Sequence, residues 1–195
     1  GILDGAADAD SVVVNPHKWL FTPFDLSVLY CRHMDLIRAA FALTPEYLKT
    51  IEAAPVRNLM DTGIQLGRRF RALKLWMVIR HFGSDGIRAR LAEHMRLARL
   101  FASWVDASAD FERLAPVPFS VVCFRARPLL PPSGGSSIDA DALNERILEA
   151  VNSTGEIFMS HTRLNGRYTL RLAIGNLHTT EQHVRRAWEL LQKQM

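Results

Sequence analysis

The sequence predicts an α/β chain that contains the end of one folded unit, followed by a small α+β domain with an antiparallel sheet. Three observations support this prediction. A short β-branched run at Asp10–Val14 is stopped by Pro16, as at the end of a strand. After residue 80 the predicted order is helix, strand, helix, two strands and helix, which is typical of an α+β layer. Between the two adjacent strands, Asn165-Gly166 is a strong hairpin signal.

The first unit is predicted to cover residues 1–78 and to consist mainly of short elements. In order they are the tail of a helix at Gly1–Ala9, a buried strand at Asp10–Val14, a second strand at Leu26–Cys31 and a short helix at Asp35–Phe41. The segment at about 44–61 has no clean period and contains Pro45 and Pro55, which indicates a long mobile loop. Long irregular loops in compact domains are often functional.

Two consecutive helices are predicted next. The first covers Ile64–Phe82, where apolar residues recur with helical spacing at Leu66, Phe70, Leu73 and Met77. The sequence Gly83-Ser84-Asp85 interrupts this helix and caps the next one, which runs to about Ala109.

The second domain is predicted to cover residues 79–195. Its strands are expected at Phe119–Arg125, Glu156–Thr162 and Arg167–Ile174, with a helix at Ala140–Asn152. Pro128–Ser137, rich in Pro, Gly and Ser, is expected to be a surface loop. A final helix is predicted from a capping box formed by Thr179 and Gln182.

Composition limits the class of protein. Of 195 residues, 48% are hydrophobic and 23% are charged, as is typical of a soluble globular protein. There is no apolar run of transmembrane length and no secretory leader pattern at the N-terminus. Cys31 and Cys123 are far apart, which favours a reducing, cytoplasmic location over a disulfide framework or a zinc site. The net charge is +4, but the basic residues are spread along the chain and interleaved with acidic ones. Neither nucleic acid nor a membrane is therefore expected as a partner.

Lys18 is the first candidate for catalytic chemistry. It follows the strand and the polar break at residues 15–17, and it precedes Trp19. An amine held between an imidazole and an aromatic ring can lose its proton by desolvation and attack a carbonyl. Lysine is also scarce in this Arg-rich chain, occurring at Lys18, Lys49, Lys74 and Lys193. The residues alone leave open the alternative of a solvated lysine in a turn.

Other chemistries lack their motifs. The chain contains no GxSxG, HExxH, P-loop or GxGxxG motif, and its histidines do not have metal-ligand spacing, so no metal site is expected. The basic block Leu66–Trp76 is either an anion site at a helix start or an amphipathic helix with a solvated basic face. The roles of Arg68 and Arg171 stay open.

Four motifs resemble one family when they are taken together. They are NPHKW (15–19), FDLS (24–27), TPEYLK (44–49) and LGRRFRALKLW (66–76). In this order they resemble the group II pyridoxal-phosphate (PLP) decarboxylases, which include aromatic-L-amino-acid decarboxylase. The resemblance covers essentially the whole chain. It implies a fragment of a fold-type I PLP-dependent transferase, with residues 1–78 ending the large PLP-binding domain and residues 79–195 forming the small C-terminal domain.

The resemblance also implies roles for residues around a PLP cofactor. Lys18 is similar to the lysine that attaches PLP covalently, and His17 and Asn15 match positions beside the cofactor and its phosphate. Phe24 resembles an aromatic residue that lines the substrate side chain. Gly67 matches a position near the substrate ring, where a small residue leaves room for a bulky aromatic group.

Tyr47 resembles a mobile-loop tyrosine that reaches the neighbouring subunit's site and helps to protonate the carbanion after CO2 leaves. Leu48 follows it in the same loop and is expected on the substrate side. The resemblance therefore implies a homodimer that converts an L-amino acid, aromatic by this resemblance, into its amine and CO2. Because members with aldehyde-synthase activity can carry Phe at the tyrosine position, Tyr47 favours simple decarboxylation.

The chain begins with Gly1 rather than Met, which predicts a piece of a longer protein. The family's stacking histidine, its pyridine-pairing aspartate and most phosphate ligands are expected N-terminal to Gly1, so the chain is expected to be inactive alone. An aldehyde synthase and a glutamate- or histidine-type decarboxylase are alternatives within the fold. A non-catalytic dimerisation or partner-binding fragment is the alternative from another class.

Overall fold

The computed structural model describes residues 3–42, 58–128 and 139–195. The chain divides into two compact units, Gly1–Gly83 and Ser84–Met195. Most of the loops predicted at 44–61 and 128–137 lies outside the described residues. Within the described ranges, no helix combines the length and hydropathy that crossing a bilayer requires.

The first unit contains a two-stranded antiparallel sheet. Its elements are a 3-10 helix at Ala6–Asp8, strand β1 at Ser11–Val14, helix α1 at Pro16–Trp19, strand β2 at Val28–Cys31 and helix α2 at Met34–Phe41. Pro16 stands at the first position of α1, where its fixed φ suits a helix and its missing N–H needs no partner. Because Val14 pairs with Val28, residues 15–27 leave and re-enter the sheet at the same end.

Both strands of this sheet are largely exposed, whereas the sequence predicted burial of the first. Val13 is 58% exposed and Tyr30 is 63% exposed. The prediction of a buried strand at Asp10–Val14 is therefore wrong for the part of the chain that is described. A strand is buried only where a further layer packs on its face, and a short apolar run does not reveal whether the chain supplies that layer.

Helix α3, Arg71–Ala107, is interrupted at Gly83, which has φ 66° and ψ 170°. The break was predicted, and glycine allows it because a positive φ costs a residue without a Cβ little. The predicted helix start at Ile64 is wrong, because the helix begins at Arg71. Ile64 is 92% exposed and Phe70 is 76% exposed. Among the described residues these side chains therefore have no core to pack against, and burial of an apolar stripe is what stabilises most helices in proteins.

The second unit contains a four-stranded antiparallel sheet with the order β3-β4-β6-β5. The strands are Phe111–Arg113, Val121–Ala126, Ser160–Leu164 and Arg167–Ala173. The predicted hairpin is confirmed, with Asn165 at φ 51° and Gly166 at φ 78° in the turn between β5 and β6. β3 was not predicted, because three residues are too short for a periodic signal.

Helices α4, Ala140–Ser153, and α5, Glu181–Gln192, complete the second unit. The buried Asn144 of α4 accepts a hydrogen bond from the Ala126 N–H at 2.7 Å and donates one to the Ala126 carbonyl at 3.0 Å. These bonds attach α4 to β4. The capping box of α5 uses Thr180 and His183, one residue later than Thr179 and Gln182. The shift arises because the His183 Nδ1 accepts the Thr180 N–H at 3.1 Å, a role that was assigned to the glutamine.

The core of the second unit is rich in aromatic rings. Phe101 of α3 is fully buried, and its ring lies 5.2 Å from that of Phe124 and 5.7 Å from that of Trp188. Both contacts are edge-to-face, the arrangement that aromatic quadrupoles favour. The predicted small α+β domain with an antiparallel sheet is confirmed.

His94 of α3 is expected to make the stability of the second unit depend on pH. Its ring is 2% exposed, and its Nε2 lies 3.1 Å from the Asn176 carbonyl. Burial lowers the pKa of His94 below its ordinary value of 6.5. The unfolded chain therefore binds a proton that the folded chain does not bind once the pH falls below about 6.5. We expect the free energy of unfolding to fall as the pH decreases through this region, with a slope of at most about 1.4 kcal/mol per pH unit.

Urea unfolding of the native protein and of His94→Gln at a series of pH values between 5 and 8 measures this slope. Gln keeps a donor near the Asn176 carbonyl but does not titrate, so the difference between the two proteins isolates His94 from the other ionisable groups. A difference that does not change with pH would contradict the expectation.

Candidate active site

The turn that carries Lys18 is fixed by two residues that precede it, Asn15 and His17. Asn15 precedes α1, and its Oδ1 accepts a hydrogen bond from the Ser27 Oγ at 2.5 Å. The half-buried His17 accepts the Leu26 N–H at its Nδ1 at 3.1 Å. Together these contacts attach α1 to residues 26–27, immediately before β2.

Lys18 itself is exposed on α1. Its backbone N–H donates to the Asn15 carbonyl at 3.0 Å. Its ammonium group makes no hydrogen bond or ion pair with any residue in the described ranges. A fixed backbone and an unengaged amine suit a nucleophile that must meet a carbonyl group.

Phe24 lies close to the imidazole of His17. The two ring centroids are 5.0 Å apart and the planes are inclined at 78°, an edge-to-face contact. The Phe24 side chain is nevertheless 83% exposed. An apolar ring presented in this way can pack against an aromatic ligand.

Phe24 and Gly67 line the same cleft, of about 720 Å³. An adjoining cleft of about 830 Å³ shares Phe24 and extends to His17 and Arg68. A Cβ added to Gly67 would meet no atom within 4 Å, so the missing side chain leaves open space. Lys18 is not among the described residues that line either cleft.

Asp25 connects two segments that line the smaller cleft, and its contacts were not foreseen from the sequence. Its Oδ2 accepts hydrogen bonds from the Nε and Nη2 of Arg71 at 3.2 and 3.0 Å. Its Oδ1 lies 3.9 Å from the Arg69 guanidinium and 4.0 Å from the Lys74 ammonium. The hydrogen bonds from Arg71 hold the pKa of Asp25 below its ordinary value, so the group is a carboxylate at neutral pH. The sequence signal that could have indicated these contacts was an acidic residue directly after Phe24 together with a basic block at residues 66–76.

The remaining candidates have separate positions. Tyr47 and Leu48 lie outside the described residues. The Nη2 of Arg68 lies 2.5 Å from the place where a Cβ of Gly63 would stand, so glycine at this position makes room for the arginine. Arg171 donates to the Ser160 Oγ at 3.3 Å across β5 and β6.

Comparison with known proteins decides the family. The sequence profile described as "Pyridoxal-dependent decarboxylase conserved domain" matches residues 1–127. The chain belongs to this decarboxylase family. The resemblance found in the NPHKW and LGRRFRALKLW motifs is thereby confirmed.

Similar decarboxylase-family proteins come from plants. The chain is 41% identical to phenylacetaldehyde synthase of Arabidopsis thaliana over 98% of its own length and 39% of the relative's. It is 37% identical to aromatic-L-amino-acid decarboxylase of Catharanthus roseus, over 98% and 38% of the two chains. The chain therefore spans about two fifths of the length of these curated relatives.

Solved structures of the family confirm the fold. The structure of Oryza sativa TDC with PLP and tryptamine matches with a TM-score of 0.89 and 37% identity, over 98% of this chain and 40% of that one. Rhodiola rosea 4-hydroxyphenylacetaldehyde synthase matches with a TM-score of 0.83 and 30% identity, over 98% and 38%.

The residues of this decarboxylase-family chain fit the aldehyde end of PLP. The family depends on a pyridoxal cofactor, and a similar structure contains PLP. Lys18 supplies an exposed primary amine on a turn whose backbone is fixed from two sides. His17 and Asn15 fix the turn that carries this amine through their contacts with Leu26 and Ser27.

Proposed function

We propose that the protein containing this chain uses PLP to decarboxylate an aromatic L-amino acid to its amine and CO2. The observation that carries the proposal is the cleft shared by Phe24 and Gly67, which offers an aromatic wall facing open space. Relatives named as aromatic-L-amino-acid and tryptophan decarboxylases support the same substrate class.

The proposal gives each residue a task. Lys18 holds PLP through its amine, and Asn15 and His17 keep the turn that carries this amine in place. PLP, when bound, accepts into its ring the electrons that the departing carboxylate leaves behind. Phe24 packs against the substrate ring and Gly67 leaves room for it. In the same proposal, residues 1–78 end the large PLP-binding domain and residues 79–195 form the small one.

Tyr47 is proposed to supply the proton that the substrate Cα needs after CO2 has left. A phenol on a loop that closes over the site can give that proton and exclude water and oxygen. Leu48 is proposed to contact the substrate from the same loop. Because this loop is proposed to reach the neighbouring subunit, the active form is a homodimer, which sedimentation of the complete protein tests.

An aldehyde synthase is the second candidate function. It is favoured by the 41% identity to phenylacetaldehyde synthase of Arabidopsis thaliana and by the match to the Rhodiola rosea synthase structure. The two functions differ in products, because a synthase consumes O2 and releases aldehyde, ammonia, CO2 and hydrogen peroxide, where a decarboxylase releases amine and CO2. Tyr47 favours the decarboxylase.

Replacing Tyr47 with Phe is expected to change the product. The variant keeps the ring but loses the phenolic proton, so we expect amine formation to fall about a hundredfold and aldehyde to appear. The experiment incubates the complete protein with L-tryptophan, L-tyrosine, L-phenylalanine, L-glutamate and L-histidine, and it measures CO2, amine, aldehyde and ammonia. Aldehyde and ammonia from the native protein would establish the synthase instead. Turnover of glutamate or histidine alone would establish one of the other decarboxylase types.

A cytoplasmic location is also proposed. It is supported by the two free thiols, Cys31 and Cys123, which are both partly exposed. Fractionation of cells that express the complete protein tests this proposal. A non-catalytic binding fragment is the remaining rival, and the absence of any turnover with bound PLP would favour it.

A further inference from the structure

Asp25 joins two segments that are far apart in the sequence and that both line one cleft. On one side it directly follows Phe24, whose ring lines the cleft. On the other side it binds Arg71, the first residue of α3, which follows the irregular segment that contains Gly67. A change in the separation of Asp25 and Arg71 therefore changes the separation of Phe24 and Gly67.

The Asp25 carboxylate makes more contacts than a single surface ion pair. An exposed pair contributes little to stability because water screens it and two flexible side chains must be held in place. Here one carboxylate receives two hydrogen bonds from the Arg71 guanidinium and has further cations near 4 Å at Arg69 and Lys74. The Arg71 and Lys74 side chains are only 28% and 27% exposed. Charge-assisted bonds in such a network hold their geometry better than isolated pairs.

The chain beside Phe24 is held at Leu26, which is buried and bonded to His17, but the Phe24 ring and the Gly67 segment are themselves exposed. Phe24 is 83% exposed, and its ring contact is the edge of His17. In the other segment, Leu66 is 55% exposed and Phe70 is 76% exposed, so the chain around Gly67 is not anchored in a core among the described residues. Asp25 therefore links the Phe24 segment, which is fixed next to it at Leu26, to the more exposed segment around Gly67.

We propose that the Asp25–Arg71 ion pair is a positioning device that sets the width of the cleft between Phe24 and Gly67 and thereby determines which aromatic ring the protein accepts. The inference rests on the proposed function, because it assumes that the substrate ring enters this cleft. Asp25 acts through Phe24 and touches no reacting atom. A cleft wide enough for an indole ring leaves a smaller phenyl ring poorly packed. One ion pair that sets this width can therefore influence whether the protein prefers indole or phenyl substrates.

The test replaces Asp25 with Asn in the complete protein with PLP bound. We expect KM for the preferred aromatic amino acid to rise about fivefold while kcat changes less than about twofold, because the variant loses binding that the ground state and the transition state share. We also expect the ratio of the dissociation constants for tryptamine and phenethylamine, measured by calorimetry, to move about fivefold towards unity. A purely structural role would lower the amount of active protein, and hence the apparent kcat, without changing KM or this ratio.

Two controls make the outcome decisive. Asp85→Asn removes the same charge from an exposed Asp85–Arg88 pair with a contact of 2.7 Å, and it should leave KM and the ratio unchanged. Arg71→Gln should reproduce the effect of Asp25→Asn, and the double variant should be no worse than either single variant. Additive effects, or an unchanged ratio in Asp25→Asn, would overturn the inference. Failure of the proposed function is seen separately, because the native protein would then form no amine or aldehyde from any aromatic amino acid.

Discussion

Replacing Lys18 with alanine is expected to abolish covalent attachment of PLP and to lower kcat/KM at least about a thousandfold. The reason is chemical, because alanine has no nitrogen that can attack the aldehyde. Lys18 is exposed, and its ammonium makes no ion pair with any described residue, so its loss should leave the fold intact. Borohydride reduction followed by peptide mass spectrometry measures attachment without reference to activity.

Two further variants test whether attachment of PLP requires the Lys18 amine itself, rather than a positive charge at this position or any exposed lysine. Lys18→Arg keeps the positive charge, but its guanidinium stays protonated and is a poor nucleophile, so attachment should still be lost. Lys193→Ala removes another exposed lysine, at the end of α5, and should bind PLP as the native protein does. Reduced PLP found on Lys74 in the native protein, or retained in Lys18→Ala, would assign the amine elsewhere.

Replacing Phe101 with alanine is expected to lower the free energy of unfolding of the second unit by about 3–5 kcal/mol. The Phe101 ring is fully buried against Phe124 and Trp188, so truncation removes apolar contacts and leaves a cavity among rigid rings. Small domains are stable by only about 5–15 kcal/mol, so this single change brings the unit close to unfolding at ordinary temperature. Chemical denaturation followed by tryptophan fluorescence measures the loss.

Phe158→Ala is the matched control for this substitution. Phe158 is 83% exposed, so the same truncation should change the free energy of unfolding by less than about 0.5 kcal/mol. A loss below about 1 kcal/mol in Phe101→Ala would mean that the aromatic core collapses around the cavity more completely than close packing allows.

The second unit was largely predictable from the sequence, because its signals are local. Gly83 breaks the helical pattern, and Asn165-Gly166 requires a tight turn. Each of these features depends on a few neighbouring residues. The first unit was predicted less well, because a helical stripe at Ile64–Phe70 forms a helix only if something packs on it. Burial is a property of the partner surface, which a local pattern does not contain.

The candidate site shows the same distinction. Lys18, Phe24 and Gly67 could be chosen because their motifs resemble a family, and the structure brings Phe24 and Gly67 to one cleft. Asp25 lies in the FDLS motif, but no role was predicted for it. The pairing of one carboxylate with Arg71 is a long-range contact, and a sequence with many arginines does not indicate which of them is the partner.

The two-stranded sheet of the first unit has a consequence for handling the protein. β1 and β2 are both edge strands in the described structure, and each keeps one row of backbone groups without a strand partner among the described residues. Such rows, flanked by exposed Val13 and Tyr30, can pair with the same strands of another molecule. We expect this chain, prepared by itself at high concentration, to associate through β1 and β2, and a lysine introduced on either strand to oppose that association.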